Sequence, residues 1–237
     1  MNSDEEAQVA STGESFPNLI QRVMLVYFSP VKLGEILRAR SPWFWTLTIV
    51  AVVSGVTWAV LPAELMQAAA EAGSAQRPQG QEIDPETIVK MTRIFGTLGV
   101  VVMSYVAAAV IAGALFLAFG VALGQEITFK QHLSAISHVY WINLIGFLML
   151  VPIWIAKGDI RVALGLGLLL PDAPETFVGH LLNSITLFGL WSTAALGAVE
   201  SGLSGGRVPL GKAITVTMVL YALWVVLAAL RATFLGG

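Results

Sequence analysis

Long apolar runs separated by short polar stretches dominate the chain. A membrane-spanning helix needs about 20 consecutive, mainly apolar residues. Five stretches approach or exceed that length: 43–62, 97–123, 139–156, 181–199 and 212–234. Each is predicted to cross a bilayer, the second being long enough to tilt. A sixth apolar run, 160–170, covers about half a span and leads into Pro171 and Pro174. Its length predicts a re-entrant, interfacial or packed segment, not a crossing.

The polar stretches carry their own signals. Residues 1–15, MNSDEEAQVASTGES, are acidic and polar, so a disordered tail is expected; they lack the basic and apolar regions of a secretory signal. Residues 16–42 contain Ser-Pro twice, at Ser29-Pro30 and Ser41-Pro42. Serine before proline reads as a helix start, because proline lacks the N–H that the first turn leaves unpaired. From Pro17 to Phe28, Leu19, Ile20, Val23, Met24, Val26 and Tyr27 fall on one helix face, with Asn18, Gln21 and Arg22 opposite. That pattern predicts an amphipathic helix lying in the membrane surface. A second short helix, with Leu33, Ile36 and Leu37 on its face, should carry basic Lys32, Arg38 and Arg40 beside the bilayer. At Ser41-Pro42 the chain is expected to enter the membrane. Trp43 and Trp45 there, and Trp141 and Trp154 at the ends of the third span, are the expected interfacial anchors. Residues 63–93 form the longest connection, in which Asp84-Pro85-Glu86 marks a helix start.

Composition supports the membrane reading. Of 237 residues, 56% are hydrophobic and 12% charged, against roughly 25% charged in ordinary soluble domains. The fold class is therefore all-α, with 43–237 forming a polytopic five-helix membrane bundle and 16–42 interfacial amphipathic helices. A net charge of −2 gives no basic surface for nucleic acid. Cysteine is absent, which removes disulfides, thiolate metal sites and cysteine nucleophiles. Arg22, Lys32, Arg38 and Arg40 all precede the first span, which places the N-terminus in the cytoplasm.

No grouping carries catalytic chemistry. His132 and His138 are six residues apart, roughly 240° around a helix, so one metal cannot be held by both. These histidines and His180 are expected at span ends, and Asp159 and Glu200 as solvated loop charges. The glycine-rich stretches GLGLLL and SGLSGG lack the lysine of a phosphate-binding loop. A non-enzymatic protein without cofactor or metal follows. What remains are small and polar residues inside spans. Gly120 with Gly124, and the stripe Gly189, Thr193, Gly197, are candidate helix-packing or partner interfaces. Asn143, Asn183 and Thr186 are candidates for the lining of an intramembrane polar cavity.

The stretch FSPVKLGEILRARSPWFWTLTIVAVV resembles the opening of bacterial members of the Yip (Ypt-interacting protein) family. GVALGQEITFKQHLSAISHVYWINLIG and FGLWSTAALGAVESG are similar to that family's approach to the third span and to its fourth span. The order of these elements carries the resemblance, which runs from about Phe16 to Phe234. It implies an integral membrane protein of five spans, here of a bacterial inner membrane. Eukaryotic relatives act in vesicle traffic and bind prenylated Rab-type GTPases. The expected role is membrane organisation, traffic or adaptation through protein partners or a homo-oligomer in the lipid bilayer. The alternative is a component of a small-molecule or ion transporter or channel.

Overall fold

The computed structural model describes residues 16–72, 84–169 and 176–235. The expected tail at 1–15, the GSAQRPQGQ stretch and the Pro171 to Pro174 exit lie outside, or almost wholly outside, the described residues. Nine α-helices and no strand are present among the described residues. Three helical stretches are long and apolar enough to cross a membrane: Pro85–Ala122, Phe129–Lys157 and Leu210–Phe234. A fourth candidate is a bent pair, Phe44–Ala59 with Ala63–Ala70, whose halves meet at 100°.

The N-terminal region forms two short helices. Helix α1 (Leu19–Phe28) starts in a capping box. Asn18 Oδ1 accepts from the Gln21 amide at 3.0 Å, and the Gln21 side chain accepts from the Asn18 amide at 2.9 Å. Ser29 alone separates α1 from α2 (Pro30–Ala39), with Pro30 at the first helical position as expected. The second Ser-Pro behaves differently. Ser41 Oγ donates to the Leu37 carbonyl and so closes α2, and α3 (Phe44–Ala59) begins only after Trp43.

Residues 63–93 are not merely a loop. AELMQAAAEA is rich in strong helix formers and folds as α4 (Ala63–Ala72). Its Leu65 and Met66 pack with Leu61 and Trp154 into a small core. Asp84 accepts from the Thr87 amide and starts α5 (Pro85–Leu115) as the sequence suggests. The last turns of that helix, Phe116–Ala122, widen to a π-helix. Helix α6 (Phe129–Lys157) begins at a second capping box, Thr128 with Gln131, and ends at Gly158, whose φ of +65° is the left-handed conformation that glycine adopts without strain.

The expected fourth span is broken. Helix α7 (Phe177–Ser184) stops at Ile185, and Thr186 caps a new helix, α8 (Leu187–Leu203). Helix α9 (Leu210–Leu235) completes the bundle. The main core gathers Val26, Leu33, Leu37, Leu47, Phe119, Ile142 and Val199 from six helices.

Two glycines let α2 sit inside this bundle. A Cβ on Gly34 would collide with the Val199 carbonyl and lie 2.9 Å from the Gly202 Cα. A Cβ on Gly202 would collide with the Val31 carbonyl. The two backbones are therefore in direct contact, and Leu33 and Leu37 are fully buried. The helix expected beside the bilayer surface is thus packed into the bundle through Leu33, Gly34 and Leu37. The face of α1 is also rotated from expectation. Arg22 and Val26 point inward, while Ile20, Met24 and Phe28 are 74%, 53% and 78% exposed.

Candidate functional site

The described part of the GLGLLL segment is tied to the break between α7 and α8. Gly165 pairs with Thr186 in a single antiparallel bridge. The Leu166 amide donates to the Ile185 carbonyl, and the Leu187 amide to the Leu164 carbonyl, both at 3.0 Å. These bonds satisfy backbone groups that the interrupted helix leaves free. Glycine is needed for the approach: a Cβ on Gly165 would lie 2.6 Å from the Asn183 carbonyl, and one on Gly167 would collide with the Asn183 side chain. Tyr221 of α9 completes the junction. Its hydroxyl donates to the Ser184 carbonyl at 3.1 Å and accepts from the Thr186 amide at 3.3 Å.

The break opens onto a cavity of about 650 Å³. Its walls come from α5 (Ala107, Val110), α6 (Tyr140, Asn143), α7 (Asn183), α8 (Gly189, Thr193) and α9 (Tyr221, Trp224), and Thr186 sits at the junction. Asn143, Asn183 and Thr186 thus share one wall space. Asn143 is central in α6, and Tyr221 is central in α9. The cavity therefore lies at mid-height in the bundle.

The hydroxyls around it are largely spent on backbone. Thr193 Oγ1 donates to the Gly189 carbonyl of its own helix at 2.7 Å, and Thr217 Oγ1 donates across to the Thr193 carbonyl at 3.0 Å. The amides of Asn143 and Asn183 differ. They form no hydrogen bond with any described residue. Each amide can donate twice and accept twice.

The stripe Gly189, Thr193, Gly197 lies against α9. A Cβ on Gly197 would come within 2.6 Å of the Ile214 Cα, and one on Gly189 within 2.5 Å of the Tyr221 hydroxyl. Gly120 and Gly124 form no comparable seam. Gly124 has φ +62° with open space around it, and the atoms nearest a Cβ on Gly120 are the Phe116 ring of its own π-helical turn and the Gln125 carbonyl. Their four-residue spacing reflects a helix ending in a turn.

A second polar assembly lies toward the start of α6. His132 Nδ1 and Glu200 Oε1 are 2.9 Å apart, and both side chains have 0% exposure. His132 Nε2 and Glu200 Oε2 have no partner among the described residues. The rings of Phe116 and Phe119, from the π-helical turns of α5, lie 6.3 Å from the His132 ring. Nearby on α6, His138 Nδ1 lies 2.7 Å from the Ser134 carbonyl, and Arg22 Nε donates to His138 Nε2 at 3.1 Å. The Arg22 guanidinium also bonds the Pro17 carbonyl and lies over the Phe16 ring. Burial, and to a lesser degree the Arg40 charge, lowers its pKa below the usual arginine value.

These contacts correct several expectations. Glu200 belongs to α8 and is wholly buried, not a solvated loop charge. His132 and His138 lie inside α6, because the helix begins at Phe129 and not at 139. For the same reason Trp141 stands near the middle of α6. Trp154 is buried, donating to the Val162 carbonyl at 2.8 Å, and acts in the core where an interfacial anchor was expected. Trp43 packs against the main core, whereas Trp45 is 73% exposed. Asp159 is a loop charge as expected, its carboxyl held below the usual range by the Arg161 side chain and amide.

No group of three or more metal-ligating side chains occurs among the described residues. No family model, curated protein or solved structure matches the chain. The geometry of the broken helix and its cavity is therefore the main guide to function.

Proposed function

We propose that this chain is a non-enzymatic integral membrane protein that holds a small molecule at mid-membrane, as a binding or transport component. The carrying observation is the helix break at Ile185, which opens onto the 650 Å³ cavity, where the amides of Asn143 and Asn183 bond no described residue. Discontinuous helices at the midplane are a recurrent way to build a substrate site in transporters. The volume falls in the range of roughly 300–1,000 Å³ typical of small-molecule pockets. In this reading α7 and α8 together form one crossing, and the bent α3–α4 pair another. With α5, α6 and α9 that makes five, with the N-terminus in the cytoplasm of a bacterial inner membrane.

A Yip-like organising role through protein partners is the second reading. It is favoured by the outward apolar stripe Ile20, Met24, Phe28 on α1, a surface suited to lipid or to another membrane protein.

The absence of cysteine makes a direct test simple. Single cysteines at Asn143, Asn183 and Met149 are expected to separate in proteoliposomes treated with a membrane-impermeant methanethiosulfonate. Met149 is 52% exposed on the outer surface of α6. Asn143→Cys and Asn183→Cys should react about tenfold faster than Met149→Cys, because only a hydrated thiol ionises to the reactive thiolate. Equal, negligible reaction at all three positions would remove the cavity reading.

A further inference from the structure

The ligand's chemical class and its route of entry can be argued from the walls of the cavity, an inference that rests on the binding role just proposed. We propose that the cavity takes an uncharged amphiphile that enters sideways from the bilayer between α5 and α9, its hydrogen-bonding head at Asn143 and Asn183.

The route follows from the packing. Helix α5 packs on α3, α4 and α6, and α9 packs on α7 and α8, but α5 and α9 have no substantial contact with each other. Both nevertheless line the same cavity. A seam between them therefore faces the membrane. Val110 on one side and Trp224 on the other are 66% and 58% exposed. Both sides of the seam are apolar, so a hydrocarbon chain can lie in it without cost, whereas a strongly hydrated molecule cannot use it.

The head group follows from charge. No charged side chain is among the residues that line the cavity. The buried titratable groups of α6 bond elsewhere, His138 with Arg22 and His132 with Glu200, and none of the four lines the cavity. An ionised head would lose its hydration and gain no counter-charge, which is strongly unfavourable at membrane depth. A neutral hydroxyl, ester or carboxamide loses far less. The Asn143 and Asn183 amides, which bond no described residue, supply donors and acceptors for it, while Tyr221, Thr193 and Thr217 are already bonded to backbone carbonyls.

The test uses the full chain in phosphatidylcholine nanodiscs with two photoreactive probes of the same chain length. One is a 1-monoacylglycerol and the other a fatty acid, each with a terminal diazirine, at a pH where the acid is ionised. Crosslinked peptides are mapped by mass spectrometry. The monoacylglycerol should label the cavity-facing segments of α5 and α9 about tenfold more than the fatty acid does, a difference of roughly 1.4 kcal/mol in occupancy. Asn143→Leu should lower that labelling about fivefold, the worth of about one neutral hydrogen bond. Ala107→Trp, which fills the α5 side of the cavity, should abolish it. Thermal melting of each variant in the same nanodiscs confirms that the fold persists. For a variant that does not fold, competition of the parent's labelling by unlabelled monoacylglycerol replaces it.

Equal labelling by the two probes would overturn the uncharged head. Labelling spread evenly over all lipid-facing helices would overturn the lateral site. If Asn143→Cys reacts with the impermeant reagent but monoacylglycerol is not enriched, the cavity serves a water-soluble molecule. The present inference then fails while the binding role stands. If neither occurs, both fail.

Discussion

Gly202→Leu is expected to destroy the packing of α2 against α8. The side chain would meet backbone on every near side: the Val31 carbonyl, the Glu35 amide nitrogen and the Gly34 Cα. A crowded side chain can change rotamer, but two crowded backbones must separate. Overpacking a core typically costs about 1–3 kcal/mol, and a rigid backbone clash should reach or exceed the top of that range. Gly34→Leu should behave alike, since its Cβ meets the Val199 carbonyl and the Leu203 amide nitrogen. Gly99→Leu and Gly113→Leu are the controls, because nothing lies within 4 Å of a Cβ at either position. Thermal aggregation of detergent-purified variants should show early loss for the first pair and parent-like behaviour for the second. Parent-like behaviour of Gly202→Leu would mean that α2 does not dock on α8.

Glu200→Ala should also destabilise the fold, because it orphans a buried polar group. His132 and Glu200 are wholly buried and bonded at 2.9 Å. Removing Glu200 leaves a wholly buried imidazole without its hydrogen-bond partner, which commonly costs about 1–3 kcal/mol. Glu200→Gln keeps a hydrogen-bonding group of nearly the same shape and should cost much less. The double variant His132→Leu/Glu200→Leu removes both polar groups and should recover most of the loss, as buried pairs replaced by apolar residues often do. Chemical denaturation of the four proteins in one mixed micelle would compare them. If Glu200→Ala alone matches the parent, the pair contributes nothing to stability. The unpartnered Glu200 Oε2 and His132 Nε2 would then be the more informative atoms.

How much of this was legible in the sequence depends on what each feature rests on. Apolar run length located α5, α6 and α9, because a span is a local property. The Asp84 cap and the Ser29-Pro30 pair gave helix starts that the structure reproduces. The continuity of α6 escaped because its first ten residues, with two histidines and two serines, read as a separate short approach to a span beginning at 139. Their partners, Glu200 and Arg22, are distant in sequence and invisible to any local pattern. The same blindness made Glu200 look solvated.

The helix break was hidden for a different reason. Asn183, Ser184 and Thr186 are tolerable within an apolar run, so nothing local announces an interruption. What permits it is the Gly165 and Gly167 backbone some twenty residues earlier, which approaches Asn183 closely. The glycines of GLGLLL were the available signal, since close backbone approach is a usual reason for glycine in an apolar segment. The polar cavity residues were more readable. Asparagine inside a span has few comfortable surroundings in lipid, which singled out Asn143 and Asn183 without any knowledge of the fold.

The central claim, as proposed above, is that the helix breaks at Ile185 beside a hydrated cavity at mid-height in the bundle. Amide hydrogen exchange in nanodiscs tests it most directly. A continuous helix in lipid holds its amides in i to i−4 bonds away from water and exchanges over hours. At the break, the Thr186 amide instead rests on a tyrosine hydroxyl at 3.3 Å, and the Ile185 amide on the Leu182 carbonyl at 3.3 Å. Peptides covering 183–189 are expected to exchange within minutes, while those from the middle of α6 and of the 85–115 helix stay protected. Protection of 183–189 equal to that of α6 would contradict the account.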